Sequence, residues 1–218
     1  MTTAAYTWLT GDHVCVPLDQ PARQWVDLLG FVDLAARRAA RVLVLTDRYT
    51  PAAMTGLLAR RPALARAFDT GQATLLPSRA SYRADGRYDP DRWLADVGTQ
   101  IDSTLRAGYP ALAVLADLTW VGAPADGHGW SGPPGDVLAD YELALNPWFL
   151  NGTLQSMCCY DPTRLPTRTW QRLCTAHPCT VGPDGVEPLC QLRLVRTSAP
   201  ARGAPATFRL TGEADLSN

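Results

Sequence analysis

Apolar and polar positions along this chain follow two alternating patterns: short strand-like apolar runs, and longer segments with apolar residues at helical spacing. The short runs predict strands near His13–Leu18, Arg41–Asp47, Ala73–Ser78, Ala111–Trp120 and Thr153–Asp161. The helical spacing predicts helices at about 22–40, 51–60, 90–107, 137–150 and 167–176. This order is typical of an α/β fold, with a mostly parallel sheet, helices on both faces and ligands at the carboxyl ends of the strands.

The turn after the first strand is where an α/β protein would place a phosphate-binding loop. Here the turn reads PLDQPARQW, which contains no Gly, two Pro without an N–H, and an acid where the anion would lie. The chain contains no Lys, so all 20 basic residues are Arg. We therefore expect a sheet without a P-loop, no ATP binding and no lysine-dependent mechanism.

Composition narrows the class of protein further. A length of 218 residues with 46% hydrophobic content suits one α/β domain with a short second element. The net charge of −1 gives no electrostatic case for a nucleic-acid partner or an anionic membrane. Neither a leader sequence nor an apolar segment of roughly 18 residues is present, so we expect a cytoplasmic location. The 6 cysteines form no CxxC pair, so we expect reduced thiols.

The C-terminal part differs in composition from the rest. Residues 1–197 are predicted to form the main domain, which ends with a strand at 190–197. Residues 198–206, SAPARGAPA, are predicted to be a linker because Pro recurs too often for a helix or a central strand. Residues 207–218 begin like the first hairpin of a further domain or a terminal edge strand.

Histidine and cysteine residues suggest one candidate site. His13 and Cys15 lie two apart on a strand and so point to one face of the sheet. With Cys158 and His177 they would form a set of ligands suited to zinc or iron. The alternative is that both cysteines are core residues and that His13 caps the sheet edge. A Cys158–His177 thiol dyad would instead indicate an enzyme or a redox sensor.

A second group of candidate residues lies at the ends of two predicted strands. Asp117 and Trp120 end one strand, and Tyr160 and Asp161 end another. They are predicted to form an aromatic wall with two acids for a small ligand, unless Asp161 only caps a turn and Trp120 only plugs the core.

Glu142 is a further candidate because it shares a helix face with the apolar Leu138 and Leu145. A partly buried carboxylate needs a partner. An Arg is the default expectation, and a ligand contact is the alternative.

Six motifs in order make the chain resemble the MEDS domain, a sensory domain named for methanogens, methylotrophs and the regulator DcmR. They are HVC (His13–Cys15), YRADGRYDP (Tyr82–Pro90), DLTW (Asp117–Trp120), YELALN (Tyr141–Asn146), CCYD (Cys158–Asp161) and HP (His177–Pro178). The resemblance covers about 12–181.

This resemblance implies a RecA/KaiC-like core that has lost its P-loop, with Asp117 at the position of the magnesium-holding acid. It also implies that the strand of Cys158 lies between those of Cys15 and Asp117. The function implied is non-catalytic sensing of a small hydrocarbon derivative or similar metabolite, by a regulatory module of a bacterial signalling or transcription-control protein. The residues expected to bind the ligand are His13, Cys15, Asp117, Trp120, Glu142, Cys158, Tyr160, Asp161 and His177.

The tail FRLTGEADLSN is similar to the first hairpin of STAS domains, which are anti-sigma-factor antagonists. That similarity implies an anti-sigma factor or a kinase as a protein partner.

Overall fold

A computed structural model describes most of the chain as a sheet with helices on both faces. The described residues are 13–18, 21–47, 53, 56–57, 61–82, 88–122, 135–182, 185–188, 193–196 and 208–211. None of the helices in these ranges is both long and apolar enough to cross a membrane.

The strands of the main sheet are β1 (His13–Pro17), β2 (Arg41–Leu45), β3 (Ala73–Leu76), β4 (Leu112–Asp117), β5 (Leu154–Tyr160), β6 (Cys179–Gly182) and β7 (Gly185–Pro188). The helices are α1 (Pro21–Arg37), α2 (Pro62–Asp69), α3 (Ser78–Ser81), α4 (Pro90–Arg106), α5 (Gly135–Ala144), α6 (Asn146–Leu150) and α7 (Thr167–Ala176). A 3₁₀ turn spans Pro162–Arg164.

The main sheet has the strand order β3-β2-β4-β5-β1-β6-β7. Strands β1 to β6 pair in parallel, and β7 pairs antiparallel to β6. Strand β5 lies between β1 and β4, and the register places Cys158 beside Cys15 on one side and Ala116 on the other. The predicted mostly parallel α/β fold and the predicted neighbourhood of Cys15 and Cys158 are confirmed.

The two faces of the sheet carry separate cores, because side chains alternate along each strand. Val14 and Val16 of β1 pack with α1 and α2 on one face. Cys15 packs with the apolar residues of α4, α5, α6 and α7 on the other. Cys158 and Cys159 belong to different faces, because adjacent residues of a strand point to opposite sides of the sheet.

The helix predicted at 137–150 is two helices, α5 and α6, which meet at Leu145. The physical reason is Pro147: it has no N–H to donate, and its ring conflicts with the carbonyl four residues earlier. Helix α2 was not predicted, although Pro62 at its start is a typical first helical residue. The short α3 and the β6–β7 hairpin were not predicted as such either. Most of the helix predicted at 51–60 lies outside the described residues.

The C-terminal strands form a sheet of their own. Strand β8 (Arg193–Arg196) pairs antiparallel with β9 (Phe208–Thr211). The strand expected to end the main domain thus pairs with the strand expected to open the next one. Residues 198–207 and 212–218, which include the predicted linker and most of the STAS-like motif, lie outside the described residues.

Removal of 198–218 should leave the main sheet intact, because β9 pairs only with β8 among the described strands. The expected loss is less than ~1 kcal/mol, or a few degrees in melting temperature for a chain of this size. Calorimetry of the shortened and full chains measures this shift. A fall of about ten degrees or more would contradict the boundary near Thr197.

Gly122 should be more sensitive to substitution than Gly108, another glycine with a left-handed backbone. Its φ is +78°, and an added Cβ would collide with the backbone carbonyl oxygen of Arg164. Gly108 has a similar φ of +88° but open space around it. We expect Gly108→Ala to cost about 1 kcal/mol, for the backbone alone. Gly122→Ala should cost about 3 kcal/mol, because a clash with backbone is added.

Urea unfolding of both glycine variants measures these free energies. Equal losses would mean that the segment after β4 moves freely away from the 3₁₀ turn.

Candidate functional site

Four ionisable side chains converge on the face of the sheet covered by α4 to α7. They are His13 of β1, Glu142 of α5, Cys158 of β5 and His177 just after α7, and we name them the HECH cluster. All four are at most 3% exposed. One ligand atom from each lies within 4.8 Å of those from the other three. Strand pairing and helix packing thus bring together residues that lie up to 164 positions apart in the sequence.

His13 is held by contacts on both sides of its ring. Its imidazole stacks on Phe149, with ring centroids 4.0 Å apart and planes at 11°. Its Nδ1 lies 3.4 Å from Asn146 Oδ1 and its Nε2 lies 3.1 Å from Glu142 Oε2, so an oxygen faces each ring nitrogen. The tautomer with its proton on Nδ1 donates to Asn146 and directs the Nε2 lone pair to the centre of the cluster.

His177 is oriented in the same way. Its Nδ1 donates to the carbonyl of Leu173 at 2.7 Å, one turn back in α7. A carbonyl only accepts, so Nε2 of His177 carries a lone pair. This Nε2 atom is buried and has no hydrogen-bond partner among the described residues.

Glu142 occupies the centre. Its Oε1 accepts a 2.7 Å hydrogen bond from the Tyr160 hydroxyl. Its Oε2 lies 3.1 Å from His13 Nε2, 3.8 Å from Cys158 Sγ and 3.9 Å from His177 Nε2. Among the described residues, its partners are not the Arg expected by default. The carboxylate faces two imidazoles and a phenol instead, because α5 packs over β1 and β5.

Burial shifts the cluster away from charge. It lowers the pKa of His13 to about 3, against the opposite effect of the Asn146 hydrogen bond. It lowers the pKa of His177 to about 3 as well, with a further lowering from His13. Burial raises the pKa of Glu142 and, well above its usual range, that of Cys158. A Cys158–His177 dyad would need a thiolate, which this environment disfavours.

A cavity of about 280 Å³ adjoins the cluster, between the sheet and helices α4 and α5. We name it the apolar cavity. Val114 lines it and is only partly buried, although β4 lies in the middle of the sheet. Glu142 and Cys158 line the cavity as well as belonging to the cluster. The remaining wall residues that bear on function are Leu43, Tyr82, Trp93, Tyr141, Leu145 and Leu154.

The aromatic wall of this cavity was missed by the sequence prediction. Tyr82 stacks on Trp93, with centroids 3.9 Å apart, and Trp93 meets Tyr141 edge-on at 5.4 Å. The signals were present in the motifs YRADGRYDP and YELALN and in the apolar face of α4. No spacing rule indicates that these three segments meet.

The second predicted group is divided by the structure. Asp117, Trp120 and Asp161 line a polar crevice of about 250 Å³ at the carboxyl ends of the strands. Tyr160, predicted to join them, instead directs its hydroxyl to Glu142. The remaining residues of the crevice are Asp47, Arg79, Thr119 and Arg164.

The crevice residues make hydrogen bonds within the chain. Asp117 accepts from Thr46 and Thr119, and Trp120 Nε1 donates to Ser78 Oγ at 2.9 Å. Asp161 accepts from the Thr163 amide at 3.0 Å and so caps the 3₁₀ turn. The capping role of Asp161 and the plugging role of Trp120 are therefore present alongside their place in the crevice wall.

Cys15 lies beside the cluster rather than in it. It is the neighbour of Cys158 across the sheet, but its thiol interacts with Cys174 of α7. Of the predicted ligand set His13, Cys15, Cys158 and His177, three residues come together, and Glu142 stands where Cys15 was expected.

The fold and the site define a class of protein. The chain is similar to the crystal structure of flagellar accessory protein FlaH from Methanocaldococcus jannaschii. The TM-score is 0.51 at 7% identity, over 81% of this chain and 75% of that chain. At this identity the likeness shows the fold alone, which is a RecA/KaiC-like α/β core. No curated protein matches the sequence.

The family follows from a more specific match. The model of MEDS, the methanogen/methylotroph, DcmR sensory domain, matches residues 12–178. The chain belongs to this family of sensory domains, as its six motifs predicted.

Cys174 should be the most reactive of the four cysteines on α7 and the two central strands. It is half-buried, whereas Cys15, Cys158 and Cys159 are buried. The Cys15 thiol, acting as hydrogen-bond donor, lowers the pKa of Cys174. A lower pKa gives more thiolate at neutral pH, so iodoacetamide should modify Cys174 first, as measured by peptide mass spectrometry.

The Cys15→Ala variant provides the control for this thiol chemistry. Loss of the donor should slow alkylation of Cys174 at neutral pH, and the difference should vanish at a pH above both pKa values. An unchanged rate at neutral pH would mean that exposure alone decides the reactivity.

Proposed function

We propose that this domain senses a small hydrocarbon derivative or similar metabolite bound in the apolar cavity, and that it does so without catalysis. The observation that carries the proposal is the position of Glu142 and Cys158. Together with Ser156, they are the buried polar groups of a cavity whose other buried wall residues are aliphatic and aromatic. Such a site suits a ligand with an apolar body and one polar end.

The incomplete burial of residues at the centre of the sheet supports this assignment. Val114 has hydrogen-bonded strands on both sides, and a side chain at such a position is normally covered by a helix. Here it is only partly buried, as is Leu43 on β2, because α4 and α5 leave the cavity above them. A ligand would cover the apolar surface that the helices leave open.

The size of the cavity restricts the ligand. An apolar cavity of about 150 Å³ holds a molecule of benzene, so 280 Å³ suits roughly ten non-hydrogen atoms. The aromatic surfaces of Tyr82, Trp93 and Tyr141 favour polarizable or apolar groups over strongly hydrated ones. At the mouth lie the exposed Asp96, Thr99 and Gln100 of α4, so a small molecule has a path from solvent.

A sensing role is favoured over thiol catalysis by the state of Cys158. Its buried environment raises the pKa of the thiol, while a nucleophilic cysteine needs a lowered one. The same proposal includes the regulatory partner expected from the C-terminal segment. This partner, an anti-sigma factor or a kinase, would receive the signal from the domain.

Val114→Trp should abolish ligand binding by filling the cavity from its floor. The test is a screen of small hydrocarbon derivatives, including halogenated, hydroxylated and carbonyl compounds, by ligand-observed NMR. Compounds that bind the unchanged chain should lose at least about tenfold in affinity in the variant, the loss expected when one apolar contact surface is removed.

Leu143→Trp is the matched control. Leu143 lies on α5 next to Glu142, is 43% exposed and does not line the cavity. This variant adds the same indole and should bind as the unchanged chain does. Equal binding in the Val114 variant, or no binding by any compound to the unchanged chain, would contradict the proposed site.

A further inference from the structure

We propose that the HECH cluster is a binding site for one divalent transition-metal ion of the zinc or iron type, held by His13 Nε2, Glu142 Oε2, Cys158 Sγ and His177 Nε2. This inference goes beyond the proposed function and does not rest on it, because the ion needs no ligand in the apolar cavity.

The unsatisfied Nε2 atom of His177 carries the proposal. The Nδ1 proton of His177 is used by the Leu173 carbonyl, so its Nε2 carries a lone pair. Glu142 Oε2 lies 3.9 Å from this atom and 3.1 Å from His13 Nε2. A proton on Glu142 or on His13 Nε2 serves the 3.1 Å contact and leaves the Nε2 of His177 without a hydrogen-bond partner among the described residues. A buried unsatisfied nitrogen destabilises the fold, and one cation would satisfy it together with the other three ligand atoms.

The spacing of the four atoms is close to that of a coordination shell. Bonds of about 2.0–2.3 Å place tetrahedral ligands about 3.3 Å apart for N and O, and about 3.6 Å apart when one is sulfur. The distances from Glu142 Oε2 to the other three atoms are 3.1, 3.8 and 3.9 Å, and Cys158 Sγ lies 3.9 Å from His13 Nε2. Shifts of under about 1 Å per atom would complete the shell.

Outer contacts orient the ligands as they do in metal sites. A metal-bound imidazole usually donates its other N–H to a carbonyl or carboxylate oxygen, which fixes the ring and the tautomer. With an ion on Nε2, His13 would donate its Nδ1 proton to Asn146 Oδ1, 3.4 Å away, and His177 donates to a backbone carbonyl. The Tyr160 hydroxyl holds Glu142 Oε1 and leaves Oε2 directed inward.

The donor set selects the type of ion. Two imidazole nitrogens, a carboxylate oxygen and a thiolate suit zinc or iron, whereas magnesium and calcium prefer oxygen alone. Ionised Glu142 and Cys158 together carry two negative charges, which a divalent ion balances. The site would then be buried without net charge, which is the form that a low-dielectric interior tolerates.

The test begins with the full chain, expressed without a polyhistidine tag and purified without chelators. Elemental analysis should find about one equivalent of zinc or iron. Metal-free protein titrated with Co²⁺ should show the absorption of a tetrahedral ion and a sulfur-to-cobalt charge-transfer band. Zinc added to metal-free protein should raise its melting temperature.

Two neighbouring thiols provide a matched pair of variants. Cys158→Ser should lose the charge-transfer band, while Cys159→Ser should keep it, because Cys159 is equally buried but faces the opposite side of the sheet. Both changes are nearly isosteric. The proposal would be overturned by less than about a tenth of an equivalent of metal in the unchanged chain, or by a cobalt spectrum identical in Cys158→Ser. The cobalt titration contains no organic ligand, so its failure leaves the screen of the apolar cavity unaffected.

Discussion

Burial of four ionisable side chains at one point is the constraint on which the rest of this domain depends. Each of them would destabilise the fold by several kcal/mol if it were charged and unpartnered in the interior. The fold meets this constraint from four elements: β1 and β5 lie side by side, α5 crosses above them, and α7 ends where His177 can turn inward. The aromatic ring of Phe149 and the hydroxyl of Tyr160 complete the surroundings. Side-chain identity at these positions is therefore tied to strand order and helix placement together.

The polar crevice and the HECH cluster differ in how their polar groups are satisfied. In the polar crevice, Asp117 and Asp161 accept hydrogen bonds from neighbouring threonines. In the HECH cluster, one imidazole nitrogen has no hydrogen-bond partner among the described residues. An unsatisfied buried group indicates where a further atom belongs, whereas a satisfied one does not. The face of the sheet, rather than the ends of its strands, is therefore the better candidate for function.

The parallel sheet, the helices on both its faces and the position of β5 between β1 and β4 could be predicted from the sequence, because they depend on local patterns and the family motifs. Pro147 also carried the information that the helix at 137–150 would break, but helical periodicity on both sides hid it. The site was only partly predictable. Spacing on β1 places His13 and Cys15 on one face, but it does not indicate which helix residue lies above them. Glu142 reaches the cluster and Cys15 turns to Cys174 because of the way α5 and α7 pack, which is set by tertiary contacts.

Glu142 and Cys158 connect the two proposals physically, since they line the apolar cavity and also belong to the cluster. A ligand that touches Glu142 changes the field and the orientation of a carboxylate that would hold the ion. By thermodynamic linkage, any change that the ion makes in the affinity for the ligand is matched by an equal change that the ligand makes in the affinity for the ion. Helix α5 carries both Tyr141, on the cavity wall, and Glu142, at the cluster. Among the described helices, α5 is the one whose adjacent residues contact both sites. A displacement of α5 would therefore be the most direct way for a bound molecule to change the surface of the domain.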